Sequence, residues 1–328
     1  MRHFVLRRLA QAVPVLIGVT VVTWALAALA PGDPARLYAR QFAAADGLPT
    51  PEEIEQARHD LNLDGNIVQQ YLSWGSRIVR GDLGRSFSNG RPVRSELAHR
   101  LPATVELAAA AAAFTVIVGI GLGVAAARWQ GRVGDVAVRV LAVGGGAIPS
   151  FWLSLLLIWL LAAHWHLLPS GGRDGPLSTS LVLPTLALGF VFVGETVRLT
   201  RSSVAQTMSQ EYVRAARARG LRERRVVTAH GLRNALIPVV TQLGLLFGTL
   251  LAGTAVVESI FAWPGIGKMS IDAIAHKDYP VIQGALLLSA VIYMVVGIAL
   301  DLLYRRLDPR IVVHDLSVVS GDAELLPR

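Results

Sequence analysis

The sequence predicts an all-α integral membrane protein with six transmembrane helices, both termini cytoplasmic, and a small folded extracytoplasmic segment after the first helix. Three observations carry this expectation. First, 53% of the 328 residues are hydrophobic and 16% charged, where an average soluble chain has roughly 25% charged. Second, a hydrocarbon layer about 30 Å thick takes about 20 helical residues to cross. Six uncharged runs meet or approach that length: residues 9–30, 107–127, 140–163, 177–194, 235–257 and 281–300. Third, arginine collects in alternate connections, as retention of positive loops on the cytoplasmic side requires.

The first run follows Arg2, Arg7 and Arg8. Ala28-Leu29-Ala30 resembles a leader cleavage site, but the run exceeds the roughly 7–15 residues of a signal core and Pro31 follows it. It is therefore read as a retained span. Residues 31–100 carry nine basic and nine acidic residues, a balance suited to the outer side. Within them Thr50 reads as an N-cap, Pro51 as the first helical residue and Glu52 and Glu53 as first-turn acids, giving a helix that ends near Asn62 or Gly65. Asp82-Leu83-Gly84 and Asn89-Gly90 are turn signals, and an ordered cap would bury Tyr71, Trp74, Ile78 and Phe87.

The second run places Gly119 and Gly123 four residues apart, a spacing that lets helices approach closely in lipid. Arg128, Arg132 and Arg139 follow it on the inner side. In the third run Gly144-Gly145-Gly146-Ala147-Ile148-Pro149 weakens the helix and then removes a backbone donor, as in broken helices that line a substrate route. The fourth run is interrupted by Pro184 and ends before Glu195 and Arg198, which at i,i+3 form an expected surface pair. Nine arginines then occupy residues 195–233. Gly244 and Gly248 repeat the small-residue spacing in the fifth run. Residues 258–280 have two lysines against three acids, and Arg305 and Arg306 follow the sixth run. The expected pathway lies where the third and fifth runs meet a partner, with Gly145, Pro149, Gly244 and Gly248 letting the helices shift.

The absences exclude several function classes. Without cysteine there is no disulfide framework, thiolate metal site or cysteine nucleophile. The net charge of +8 is concentrated in a few connections, which makes nucleic acid a poor partner. The runs contain no acid, lysine or histidine relay for ion coupling, and Glu106, near the outer end of the second run, has an expected structural role. Gly265-Ile266-Gly267-Lys268 is the one look-alike of a phosphate loop, with Ala262 at the earlier glycine position and Met269 at the hydroxyl position. No nucleotide or other cofactor is therefore expected on this chain, and no catalytic residue.

Residues 211–221 read as a short helix ended by Gly220 in a left-handed cap, with Arg217 and Arg219 at its negative end. Tyr212, Ala215, Ala216 and Arg219 are read as one face, which either docks on a partner or serves only as positive-inside charge. These residues, with His230-Gly231-Leu232-Arg233-Asn234-Ala235-Leu236-Ile237-Pro238, resemble the cytoplasmic loop of permease subunits in ATP-binding-cassette importers of the dipeptide, oligopeptide and nickel family. Further segments agree in order along residues 1–312: Pro31-Gly32-Asp33-Pro34, Gly81-Asp82-Leu83-Gly84, Leu101-Pro102-Ala103-Thr104-Val105-Glu106-Leu107, Phe261-Ala262-Trp263-Pro264-Gly265, Asp278-Tyr279-Pro280-Val281 and Asp308-Pro309-Arg310.

The resemblance implies a multi-pass inner-membrane subunit forming half of a pathway that works by alternating access. It implies a second homologous permease, two ATP-binding subunits that carry the ATP and Mg, and an extracytoplasmic substrate-binding protein. Residues 1–30 would be the N-terminus and first helix, 31–100 the extracytoplasmic segment, 101–312 the five-helix core with a coupling loop at 195–234, and 313–328 a tail. Coupling to the ATPases is expected through Tyr212, Arg214, Ala215, Ala216, Arg217, Arg219 and Gly220. Arg214 stands where the general importer loop has Glu, so the arginines are expected to meet acids on the ATPase. The short outer loop at 168–180 looks more like nickel and metal-chelate permeases than dipeptide permeases. His164 and His166 are the candidate metal ligands, since imidazole suits nickel, although alternate residues of a helix point about 160° apart and no metal site is assigned. A stand-alone channel or secondary carrier is the alternative reading, and a membrane-embedded hydrolase lacks a nucleophile with an adjacent base.

Overall fold

The computed structural model describes residues 2–29, 32–40, 48–61, 63–222 and 225–307; the expected tail at 313–328 and Asp308-Pro309-Arg310 lie outside them. The chain is helical, and among the described residues the one β-type pairing is an isolated bridge between Arg85 and Pro92. Four helical segments are long and apolar enough to cross a membrane, and six if two bent pairs each count as one span.

Helix α1 (Arg2–Leu29) is followed by the cap helices α2 (Pro34–Ala39), α3 (Pro51–Asp60) and α4 (Ile67–Val79). Helix α3 begins as its sequence requires: Thr50 Oγ1 accepts from the Glu53 N–H, and the Glu53 carboxylate accepts from the Thr50 N–H. Asn66 and Gln69 form the same reciprocal cap on α4. The cap aromatics are ordered against the spans, with Tyr71 edge-on to Trp24 at 5.6 Å and Phe87 between Tyr38 and Tyr279. Asp278 ties the cap down. Its buried carboxylate accepts from Ser86 Oγ at 2.5 Å, the Phe87 N–H at 3.0 Å and the Ser88 N–H at 3.1 Å.

Helix α5 (Val93–Arg128) runs about four turns beyond the expected second span at its N-terminal end, and packs most extensively on α8 (Val182–Met208). A side chain at Gly119 would meet Thr196, and one at Gly123 would meet Thr200, so these glycines set the close approach of the two helices. The fourth span is longer than expected. Pro184 falls in the first turn of α8, where its missing N–H has no intrahelical partner to lose, so it starts the helix rather than interrupting it. The helix then continues past Gly194 to Met208, and the first third of the expected loop at 195–234 is helix.

The third span is not one rod. Helix α6 (Val133–Ala147) and α7 (Ser150–Leu157), the latter prolonged by a π-helical stretch at Ile158–His164, meet at 102° around Ile148 and Pro149. The triple glycine and the proline leave the helix weak enough to bend there. After α9 (Glu211–Ala218) and a π-helical stretch at Val226–Leu232 comes α10 (Arg233–Ile260), bent by 52° between Leu250 and Thr254. Helices α11 (Ile266–His276) and α12 (Tyr279–Leu307) complete the chain. An Arg8–Asp301 ion pair of 2.8 Å joins the start of α1 to the end of α12. The main core lies between α5, α8 and α10, around Leu107, Leu183, Leu188, Leu250 and Phe261.

Candidate functional site

Two motif segments that are far apart in sequence meet in a polar knot at one end of the core. Glu258, assigned from the sequence to an outer connection, is fully buried at the end of α10. It accepts from Thr104 Oγ1 at 2.8 Å and from the Lys268 N–H at 2.9 Å, with Thr254 and the Gly267 N–H donating as well. Thr104 Oγ1 in turn accepts from the Ile266 N–H at 2.8 Å, and Trp263 Nε1 donates to Ala103 O at 2.8 Å. The Gly267 and Lys268 amides of the phosphate-loop look-alike are thus already occupied by a carboxylate of the same chain. Glu106 lies beside the knot, where Arg173 grips it at 2.7 Å while standing over the Trp263 ring.

At the other end of the core, α9 is held against its own neighbours. Val213 and Ala216 are buried with Val226, packed by Met208 and Leu221, because α9 is too short and polar to be stable without a covered apolar edge. Tyr212, Arg214, Ala215, Arg217, Arg219 and Gly220 are exposed. Tyr212 OH accepts from Asn234 Nδ2 at 3.0 Å, and Gly220 turns the chain away at φ +76°. The expected outward face therefore needs one correction: Ala215 belongs to it and Ala216 does not. Adjacent helical residues point about 100° apart, and the structure turns the second of the two inward.

The expected pathway residues are placed as packing contacts. Gly145, Gly244 and Gly248 are all buried. A Cβ at Gly145 would meet the Phe190 ring and one at Gly248 the Tyr293 ring, so aromatic side chains of this chain fill the missing volume. Pro149 is exposed at the bend. His164 stacks on Trp159 at 5.9 Å, His166 is exposed with φ +52°, and among the described residues no group of three or more His, Cys, Asp or Glu gathers to hold a metal. The expected Glu195–Arg198 pair does not form. Glu195 instead accepts from Gln242 Nε2 at 2.8 Å, joining α8 to α10.

Residues 119–313 match the family described as binding-protein-dependent transport system inner membrane component, and residues 1–108 match that system's N-terminal membrane component. The chain belongs to this family. This permease is 38% identical to the dipeptide transport system permease protein DppB of Escherichia coli K12, over 95% of this chain and 99% of that one. It is 40% identical to a putative peptide transport system permease protein of Brucella suis and 39% identical to the glutathione transport system permease protein GsiC of Pectobacterium atrosepticum, at the same coverage. Among solved structures, an inward-facing form of the MetNI methionine ABC transporter aligns with 65% of this chain and 96% of its own at TM-score 0.54 and 19% identity, a likeness of fold. The permease is accordingly a multi-pass inner-membrane subunit of an ATP-binding-cassette importer, a transport component and not an enzyme.

Sequence reasoning missed Glu258, Asp278 and Glu195 as organising residues. Glu258 and Asp278 stand inside quoted or adjoining motifs, yet the partners through which they join distant segments, Thr104 and Ser86, lie 154 and 192 residues away, so local spacing carries no sign of those links.

Proposed function

We propose that this permease is one half of a pathway for short peptides, paired with a second homologous permease, loaded by an extracytoplasmic binding protein and driven by two ATPase chains that carry ATP and Mg. The observation that carries the substrate class is the near-full-length similarity to permeases named for dipeptides, peptides and glutathione. The nickel reading loses its support, because His164 is stacked on an aromatic ring and the short 168–180 loop is a weaker guide than identity along the whole chain. Uptake of labelled dialanine by proteoliposomes containing all five chains is the expected result, with none when this chain is reconstituted alone. Vectorial uptake by the single chain would instead favour the stand-alone carrier.

The proposed arrangement has six spans with both termini inside and the 31–100 and 258–280 segments outside. The Ser86–Asp278 bond and the Arg8–Asp301 pair support it, since each joins segments assigned to one side. Single cysteines at the exposed positions Asn89 and His276, in a chain with none of its own, should react with an impermeant maleimide added to intact cells. Protection of either would overturn the orientation. In this arrangement 101–312 is the permease core and residues 212–220 form the helix that seats on the ATPase. Pro149 supplies the hinge of the third span, the close contacts at Gly145 and Gly248 let α6 move on α8 and α10 on α12, and the buried Gly244 serves the same role on α10.

A further inference from the structure

Helices α1 and α12 expose apolar side chains such as Val13, Ile17, Val21, Leu26, Val291 and Val295, as a lipid-facing surface does. Among the described residues, helices α8 and α10 expose large apolar side chains only towards their outer ends, at Val182 and Val256. On α8 the exposed residues Glu195, Arg198 and Ser202 follow one another at three- and four-residue intervals on one side. On α10 the exposed Asn234 and Thr249 and the half-exposed Thr241 and Gln242 form a matching stripe, and the Glu195–Gln242 bond joins the two helices.

The depth of Glu195 follows from the packing of its neighbour. Thr196 sits against Gly119 of α5, twelve residues after Leu107 and nine before Arg128, the charged residue that closes the second apolar run. At 1.5 Å per residue these are about 18 Å and about 14 Å, so the carboxylate stands near the middle of the membrane. A carboxylate facing lipid there costs about 3 kcal/mol or more. Its Oε1 takes the Gln242 amide, while Oε2 accepts no hydrogen bond among the described residues and Arg198 does not pair with it. An acceptor held in place on one oxygen and open on the other, on a polar stripe at this depth, faces water and a ligand.

We propose that Glu195, held by Gln242, is the charge-selective contact of the translocation pathway, accepting the side-chain cation of a passing basic peptide. This rests on the peptide reading above for the identity of the cation, and on the structure for its position. Facing Glu195 are Arg198 on its own helix and the uncharged Thr241 and Gln242 on α10, so the local field along this wall is set by one acid and one base.

Two measurements test it. In the full importer, Glu195→Gln should lower the uptake rate of Ala-Lys by about tenfold, the size of one lost charge-assisted contact, change that of Ala-Glu less than about twofold, and be rescued by Glu195→Asp. Equal losses for both peptides, or loss of the second permease from the purified complex, would overturn the proposal and make Glu195 a subunit contact. The second measurement needs no peptide. A cysteine replacing Val191, one turn away on the same side, should react about tenfold faster with a cationic than with an anionic methanethiosulfonate, and Glu195→Gln should abolish that ratio. Absence of reaction with both reagents would place the stripe against lipid or protein and refute the pathway position. A wild-type importer that carries neither peptide but keeps the reagent ratio would refute the peptide reading and leave Glu195 in the pathway.

Discussion

Ala215→Trp is expected to abolish stimulation of the ATPases by the loaded binding protein, a loss of at least about tenfold, while insertion and assembly of the spans persist. Ala215 is exposed on α9 between Tyr212 and Arg219, and a partner seated on that face approaches as closely as a methyl group permits. An indole there adds bulk at the centre of a small contact, where truncation and overpacking have their largest effects. The neighbouring Ala216→Trp should fail differently. Its side chain is buried against Met208, Leu221 and Val226, so the substitution overpacks the chain itself, costs about 1–3 kcal/mol and lowers thermal stability in detergent. A loop that only anchors the chain to lipid would tolerate Ala215→Trp and respond instead to joint removal of Arg214, Arg217 and Arg219. Stimulated ATPase activity and melting temperature, measured on the same purified complexes, separate these outcomes.

Replacing Glu258 by Ala should be the most destabilising single change at the other end of the core. It strips acceptors from Thr104, Thr254 and the amides of Gly267 and Lys268, all in a buried setting. Hydrogen bonds to a charged group contribute about 1.5–3 kcal/mol each, and buried donors left without partners cost about 1–3 kcal/mol, so a loss of several kcal/mol follows. Glu258→Gln keeps one acceptor oxygen and should recover part of it. Thr104→Val tests the same knot from α5, because it deprives Glu258 of a donor and the Ile266 N–H of an acceptor. Unchanged thermal unfolding in Glu258→Ala would show that the knot is not what holds α11 on α5.

The sequence reveals most where a residue's role is local. Apolar run length finds the spans, Thr50 and Glu53 announce α3, and Gly220 announces the end of α9 in a left-handed conformation. It also marks the weak point at Pro149, though not the 102° bend, which depends on what α6 and α7 pack against. Direction around a helix is harder. Ala215 and Ala216 are chemically identical, and only the presence of Val226 and Met208 on one side decides which of them turns inward. Glu195 is misplaced at a span end because its own charge, with Arg198, closes the uncharged run. The helix nonetheless continues to Met208, and the same carboxylate moves to mid-depth. The motifs show a similar limit: each is legible alone, but nothing in Leu101-Pro102-Ala103-Thr104 tells that its hydroxyl will meet Glu258.

The Asp278 carboxylate that fastens the cap has a consequence for the order of synthesis. Ser86 leaves the ribosome 192 residues ahead of Asp278, a delay of about 10–40 s at about 5–20 residues per second. During that interval α2, α3 and α4 are already made, yet the carboxylate that the Ser86 hydroxyl and the Phe87 amide bond to is missing, and closing so long a loop carries its full entropic cost. The 86–88 turn therefore closes onto its carboxylate only after Asp278 has been made. A chain that ends before Asp278 would display an open 86–88 turn however well its earlier helices were packed.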